Sequence, residues 1–278
     1  MSCAEVDARS APAPRYGEDG RADGRWATRT YGEGPAVCWV HGYTMDSRLW
    51  DDIWPQLPGF RHVGIDLPGH GQSPPMTAGT TMCELAEGVA AILQRERSDR
   101  LVAMSLGTMV AFEVAIRRLH PLAKLAVVAP ALVGMPAAAG TAAQYRTMTA
   151  LRRMGLGGAL TDVWMSRKSG IFAGLSRYPE QFAALRCVVD DHGWGELDVG
   201  GPAAFYREPQ HSGDLPGSAG ELLVLAGDED MPEFRDLCGR LGTEVDGAQM
   251  ITLAGAGHLP LLEQPEVALP LLRAFLAG

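Results

Sequence analysis

A lone serine, Ser105, stands in the apolar run "VAMSLGTMVAFEVA" (102–115), with Ala103 two places before it and Gly107 two places after. An unassisted hydroxyl is a poor nucleophile at neutral pH, so a reactive serine needs a base. His258 in "GAGHLPLLEQP" is of the right type. A histidine base in turn needs a carboxylate to orient it and to stabilise its cation. "LAGDEDMP" offers Asp228 and Asp230. The chemistry such a set performs is acyl transfer, whose tetrahedral intermediate needs N–H donors around its oxyanion. One donor would be the Leu106 backbone N–H. The other would be that of Tyr43, after His41-Gly42 in "WVHGYTMDSRLW". A small-x-Ser-x-Gly pattern is shared with buried helix-capping serines, so its context decides.

The elements around these residues supply that context. Apolar runs of strand length at 36–40, 62–66, 101–104, 125–130, 221–227 and 249–255 are too short and too fully apolar for half-exposed strands. They suit a parallel sheet buried on both faces. Helical periodicity falls between them, at 81–96, 106–119 and 265–277. Strand alternating with helix predicts a doubly wound, mostly parallel α/β sheet. Ser105 falls at a strand-to-helix crossing, where a turn tight enough to expose a side chain leaves no room for bulk two positions away. Asp228, Asp230 and His258 follow the ends of later strands.

Residues 131–215 break the rhythm, with helical stretches and Gly-rich joints but no clear strand. This length exceeds a plain crossover. It is expected to be a helical insertion, a cap over one edge of the sheet, between core segments 25–130 and 216–278. Residues 1–24, rich in Ala, Pro, Gly, Asp and Arg, are expected to form a disordered or loosely docked arm.

The 278 residues are 46% hydrophobic and 21% charged, an ordinary globular composition. A net charge of −9 without a basic cluster argues against nucleic-acid partners. No apolar stretch is long enough to span a membrane, and the N-terminus lacks the apolar core of a secretory leader. Five scattered cysteines without a CxxC pair are expected to be reduced, with no zinc site. The expectation is a cytoplasmic protein acting on a small molecule without metal or organic cofactor; nothing in the sequence bears on its oligomeric state.

Four stretches, "HGYTMDSRLWDDIWPQL", "GIDLPGHGQS", "AMSLGTMVA" with "VVAPAL", and "LAGDED" followed by "GAGHLPLLEQPEVA", resemble the α/β-hydrolase superfamily in its cap-bearing, esterase-like branch. Ala103 departs from the usual first Gly of the nucleophile elbow by one methyl. The resemblance implies the order Ser105, Asp230, His258, with Asp230 as the third residue after the strand-ending Gly227 and Asp228 as a loop-stabilising neighbour. It also implies an acyl-enzyme on Ser105, with Tyr43 and Leu106 N–H groups as the oxyanion hole. A serine at 105, not an aspartate, argues against alkyl-ester chemistry of the dehalogenase and epoxide-hydrolase kind.

Met104, Leu132, Tyr145, Met148 and Trp164 are expected to line the pocket. Asp66, His70 and Ser73 are read as a self-folded loop and His41 as structural. His62, His120, His192 and His211 are read as surface or loop residues. The expected reaction is cleavage of an ester, lactone or thioester of an apolar molecule. Competing expectations are other chemistry on the same fold (C–C hydrolysis, lyase, cofactor-free oxygenation, perhydrolysis or cyclisation) and a ligand receptor with slow turnover.

Overall fold

A computed structural model describes residues 14–16, 26–136, 141–166, 170–200, 208–215, 217 and 219–278. Strands among them are β1 (Arg15–Tyr16), β2 (Thr28–Tyr31), β3 (Ala36–Val40), β4 (Arg61–Ile65), β5 (Arg100–Met104), β6 (Lys124–Val128), β7 (Glu221–Gly227) and β8 (Gln249–Leu253). They form one sheet in the order β1-β2-β4-β3-β5-β6-β7-β8. From β4 to β8 every pairing is parallel, while β1–β2 and β2–β4 are antiparallel.

The apolar runs explain the central strands. Every residue of β3 and β6 is buried, and so are the last four of β5. A strand sandwiched between helices has no solvent face on which to alternate. β8, at the sheet edge, leaves three of its five residues exposed.

Helices α1 (Met82–Glu96) and α2 (Leu106–Ile116) follow β4 and β5. α1 begins with a reciprocal cap: Thr81 Oγ1 accepts the Glu84 N–H and the Glu84 carboxylate accepts the Thr81 N–H. α2 is buried on nearly every side, from Leu106 to Ala115. α3 (Thr141–Arg153), α4 (Leu160–Trp164), α5 (Gly170–Ala173) and α6 (Pro179–Asp190) lie between β6 and β7. No strand interrupts them among the described residues. α7 (Pro232–Glu244), α8 (Pro260–Glu263) and α9 (Pro265–Ala277) complete the chain, each opening on a proline at its first position.

Two hydrogen bonds join the segment between β6 and β7 to loops at the carboxyl ends of strands. Trp164 Nε1–H donates to Thr44 Oγ1 at 2.8 Å, and Arg177 reaches Glu229 at 2.7 Å, so it is tied to the loops after β3 and β7. β3 is flanked by β4 on one side and β5 on the other, which makes a topological switch point whose crevice opens at the strands' carboxyl ends.

Three expectations change. Within the proposed arm, Arg15 and Tyr16 pair with β2, and Tyr16 Oη donates to Asp66 Oδ2 at 3.2 Å; the rest of 1–24 lies outside the described residues except Pro14. Cys38, Cys83 and Cys238 are free thiols, but Cys187 is disulfide-bonded, so the cysteines are not uniformly reduced. His62 and His192 are buried, not superficial. His62 Nδ1 accepts from Trp39 Nε1–H at 3.1 Å while its Nε2–H donates to Leu57 O at 2.9 Å, an arrangement that fits only the neutral ring. Among the described residues no helix is long and apolar enough to cross a membrane.

Candidate active site

Ser105 occupies the step between β5 and α2 with φ 50° and ψ −117°, a strained conformation for a residue with a Cβ. Its N–H bonds Val128 O of the neighbouring strand end at 3.0 Å, which holds the turn against the sheet. Gly107 shows why the turn tolerates no side chain there: a Cβ would lie 2.6 Å from Val40 O and 2.7 Å from His41 O. The first turn of α2 thus packs directly onto the end of β3.

His258 is fully buried in the loop after β8. Its Nε2 is 2.9 Å from Ser105 Oγ, and its Nδ1 is 3.0 and 2.9 Å from the two Asp230 oxygens. With Nδ1–H donating to Asp230, Nε2 is left to accept the serine proton. Asp230 Oδ1 also accepts the Met231 N–H at 2.7 Å. The acid and histidine loops meet because β7 ends in a glycine: a Cβ on Gly227 would fall 2.1 Å from Ala256 O. Asp228 is exposed, and its Oδ1 accepts the Gly255 N–H at 2.6 Å. It braces the turn and makes no hydrogen bond with His258.

A second carboxylate brackets the histidine. Glu263, 2% exposed, accepts the Gly257 N–H at 2.6 Å and the Leu259 N–H at 3.0 Å, one on each side of His258. Arg177 from the insertion lies 3.5 Å from Glu263, donates to Gly255 O at 2.6 Å and pairs with Glu229.

Leu106 is the first residue of α2, so its N–H belongs to a helix N-terminus and lacks an acceptor within the helix. Tyr43 follows Gly42 in the loop after β3, and a Cβ built on Gly42 would lie 3.4 Å from Ser105 Cβ. The register pairing Val40 with Ala103 brings these two strand ends side by side. His41 fixes the loop: its Nδ1–H donates to Gly42 O at 2.8 Å and its Nε2 accepts the Leu67 N–H at 3.0 Å. In the following loop Asp66 accepts the Ser47 and Gln72 N–H groups, and Ser73 Oγ bonds Asp66 O.

A cavity of about 520 Å³ opens over Ser105, Leu106 and Tyr43. Leu132, Tyr145 and Trp164 line it. Met104 and Met148 do not; both are fully buried, Met104 in β5 and Met148 in α3. Met109, Ile171 and Phe234 line it without having been singled out, and Arg146 is the one charged residue of its described lining. The wall is otherwise mainly apolar and aromatic.

Sequence reasoning also missed a buried polar group beside Tyr43. The Tyr43 phenol donates to Glu196 Oε1 at 2.6 Å, and His192 Nε2 lies 3.2 Å from both Glu196 oxygens. Burial pushes the Glu196 carboxyl up, but the bonds from His192 and Tyr43 outweigh it and leave its pKa below the ordinary value. Among the described residues no cluster of three or more His, Cys, Asp or Glu side chains is arranged to hold a metal ion.

The eight-stranded, mostly parallel sheet with its helices and this arrangement at the switch point define an α/β hydrolase. The model of the alpha/beta hydrolase family matches residues 39–269, and the chain belongs to that family. It is similar to the pimeloyl-[acyl-carrier protein] methyl ester esterase of Methylococcus capsulatus, 41% identical over 31% of this chain and 33% of that protein. The chain spans 33–39% of the length of the first curated relatives it matches. It is also 27% identical to the 2-succinyl-6-hydroxy-2,4-cyclohexadiene-1-carboxylate synthase of Serratia proteamaculans, over 88% of this chain and 94% of that one. Among solved structures, a thermophilic esterase from Thermogutta terrifontis shares the fold with a TM-score of 0.73 at 22% identity, covering 96% and 98% of the two chains.

Proposed function

We propose that this protein is a serine hydrolase that cleaves an ester, lactone or thioester of an apolar small molecule through an acyl-enzyme on Ser105. The observation that carries the reading is the unbroken hydrogen-bonded series Ser105–His258–Asp230, whose serine lines a mainly apolar cavity. The Ser105 hydroxyl gives its proton to His258 Nε2 as Oγ attacks the carbonyl carbon. Asp230 holds the ring with Nδ1–H and stabilises the imidazolium that forms. The N–H groups of Tyr43, in the loop after β3, and of Leu106, at the N-terminus of α2, receive the oxyanion. The imidazolium then protonates the leaving oxygen or sulfur. A water deprotonated by His258 releases the acyl group and restores the serine.

The match to a protein named as a synthase over most of the chain favours a second reading, in which the same site carries out chemistry other than ester hydrolysis. That relative's name carries a succinyl and a carboxylate group, whereas the cavity described here has Arg146 as its one charged lining residue. The apolar ester reading fits the wall better.

The test uses p-nitrophenyl esters of rising acyl length and a fluorophosphonate probe. The specificity constant is expected to rise from two to six carbons, since each buried methylene contributes about 0.8 kcal/mol. Wild-type protein is expected to label at Ser105, and Ser105→Ala to lose both labelling and turnover while keeping its melting temperature. A specificity constant that falls with chain length, or a Ser105→Ala variant retaining more than about a tenth of the rate, would remove this reading.

A further inference from the structure

The loop that carries Tyr43 is held from the insertion as well as from the core. From the core, the Gly42 carbonyl accepts His41 Nδ1–H at 2.8 Å and the Met45 N–H at 3.2 Å. Every described peptide is trans. In a trans peptide the C=O and N–H point opposite ways, so pinning the Gly42 carbonyl aims the Tyr43 N–H away from His41. The next carbonyl, Tyr43 O, accepts Thr44 Oγ1–H at 2.6 Å, and Thr44 Oγ1 accepts Trp164 Nε1–H at 2.8 Å. Thr44 itself has φ 63°, left-handed for a β-branched residue, so this backbone does not rest there unaided.

From the insertion, the Tyr43 phenol is fastened to Glu196, a carboxylate 1% exposed that also meets His192. The Tyr43 ring is also walled by Trp164, 5.2 Å away and edge-on, and by Tyr145 at 5.8 Å. A buried carboxylate is costly to desolvate and contributes little net stability even when well partnered.

We infer that Glu196 is a positioning residue: by holding the Tyr43 side chain it sets the Gly42–Tyr43 peptide whose N–H receives the oxyanion, so that the insertion completes the catalytic machinery it covers. This rests on the serine-hydrolase reading. It also gives the carboxylate a role separate from the pocket wall, because Glu196 does not line the cavity while Tyr43 does.

The experiment is a double-mutant cycle on full-length protein with p-nitrophenyl butyrate, measuring kcat and KM separately. Tyr43→Phe keeps the ring and its contacts but removes the donor. Loss of a whole oxyanion donor costs roughly a hundred- to a thousandfold in kcat, so a misaligned one is expected to cost about tenfold or more, with KM within about twofold. Glu196→Ala is expected to match it, and Glu196→Gln, whose amide oxygen still accepts the phenol O–H, to keep most of the wild-type kcat. The Tyr43→Phe/Glu196→Ala double variant is expected to be no slower than either single, as for two halves of one interaction.

A KM effect with unchanged kcat in Tyr43→Phe would overturn the positioning role, as would additive penalties or a Glu196→Gln variant as slow as Glu196→Ala. If Tyr43→Phe fails to fold, the contrast between Glu196→Gln and Glu196→Ala decides by the same kcat criterion. Ser105→Ala in the same assay separates the two levels. Turnover that survives it would remove the hydrolase reading and this inference together. Turnover lost in Ser105→Ala but intact in both Tyr43→Phe and Glu196→Ala would remove this inference alone.

Discussion

On the proposed serine-hydrolase reading, replacing Asp230 with asparagine is expected to reverse a single proton. Asp230 Oδ1 accepts the Met231 N–H at 2.7 Å, while Oδ2 lies 2.9 Å from His258 Nδ1. An asparagine in this rotamer must keep its oxygen on the Met231 amide, because turned the other way it would set an NH2 against an N–H. Its NH2 then takes the place of Oδ2 and faces Nδ1. Of the two oxygens that faced Nδ1–H at 3.0 and 2.9 Å, only the one shared with the Met231 amide remains, and the NH2 beside it is satisfied only by an unprotonated Nδ1, which favours the ring with its proton on Nε2, 2.9 Å from Ser105 Oγ. The base now donates to the serine it should deprotonate, and no carboxylate remains to stabilise an imidazolium. A triad carboxylate changed to an amide costs about ten-thousandfold in kcat, or roughly 5.4 kcal/mol at about 1.36 kcal/mol per decade.

Asp228→Asn is the internal control. Its oxygen can still accept the Gly255 N–H, so kcat is expected to stay within about twofold, while loss of charge assistance lowers the melting temperature by about 2–4 °C per kcal/mol. Release of p-nitrophenolate gives kcat, and near-UV circular dichroism checks the fold. An Asp230→Asn variant with more than about a hundredth of wild-type kcat would refute the tautomer reasoning. Reversed penalties would move the acid to Asp228.

Two further outcomes follow from buried groups. Burial lowers the His62 pKa from 6.5 to about 4, so folding favours the neutral ring: its stabilising contribution is complete above about 6.5 and is lost as pH falls toward 4. The melting temperature of the wild type is expected to fall over that window more steeply than that of His62→Gln, and parallel slopes would contradict it. Gly107→Ala is expected to cost about 1–3 kcal/mol by forcing α2 away from Val40 O and His41 O, measured by urea denaturation; an unchanged midpoint would show that the helix can shift freely.

What could be read in the sequence was local. Ser105, the acid loop and His258 each stand just after a short apolar strand, where a tight turn restricts residue type, so their order and spacing survive in the chain. The Tyr43–Glu196 bond joins residues 153 apart, and "HGWGELD" (192–198), with glycines at 193 and 195, has no periodicity to mark a buried carboxylate. Glu263 reads as one more helix residue in "PLLEQP", because its bonds go to backbone N–H groups and leave no trace in side-chain pattern. Met148 follows helical spacing but points into the core and not the cavity: a period shows that an apolar face exists, and not what it meets. β2, "TRTY", is four polar or amphipathic residues on an antiparallel flank, too short for alternation to stand out.

Arg177 has a consequence for how the protein reaches its working state. One guanidinium holds Glu229 in the acid loop, 52 residues away, and Gly255 O in the histidine loop, 78 residues away. Contacts between such distant parts of a chain form late, because the intervening loop must be closed before they return any energy. The sheet can assemble from neighbouring strands while these two loops remain unanchored. Refolding from denaturant should therefore restore far-ultraviolet circular dichroism before the proposed turnover of p-nitrophenyl esters. Arg177→Ala should widen that interval, delaying competence more than it delays collapse.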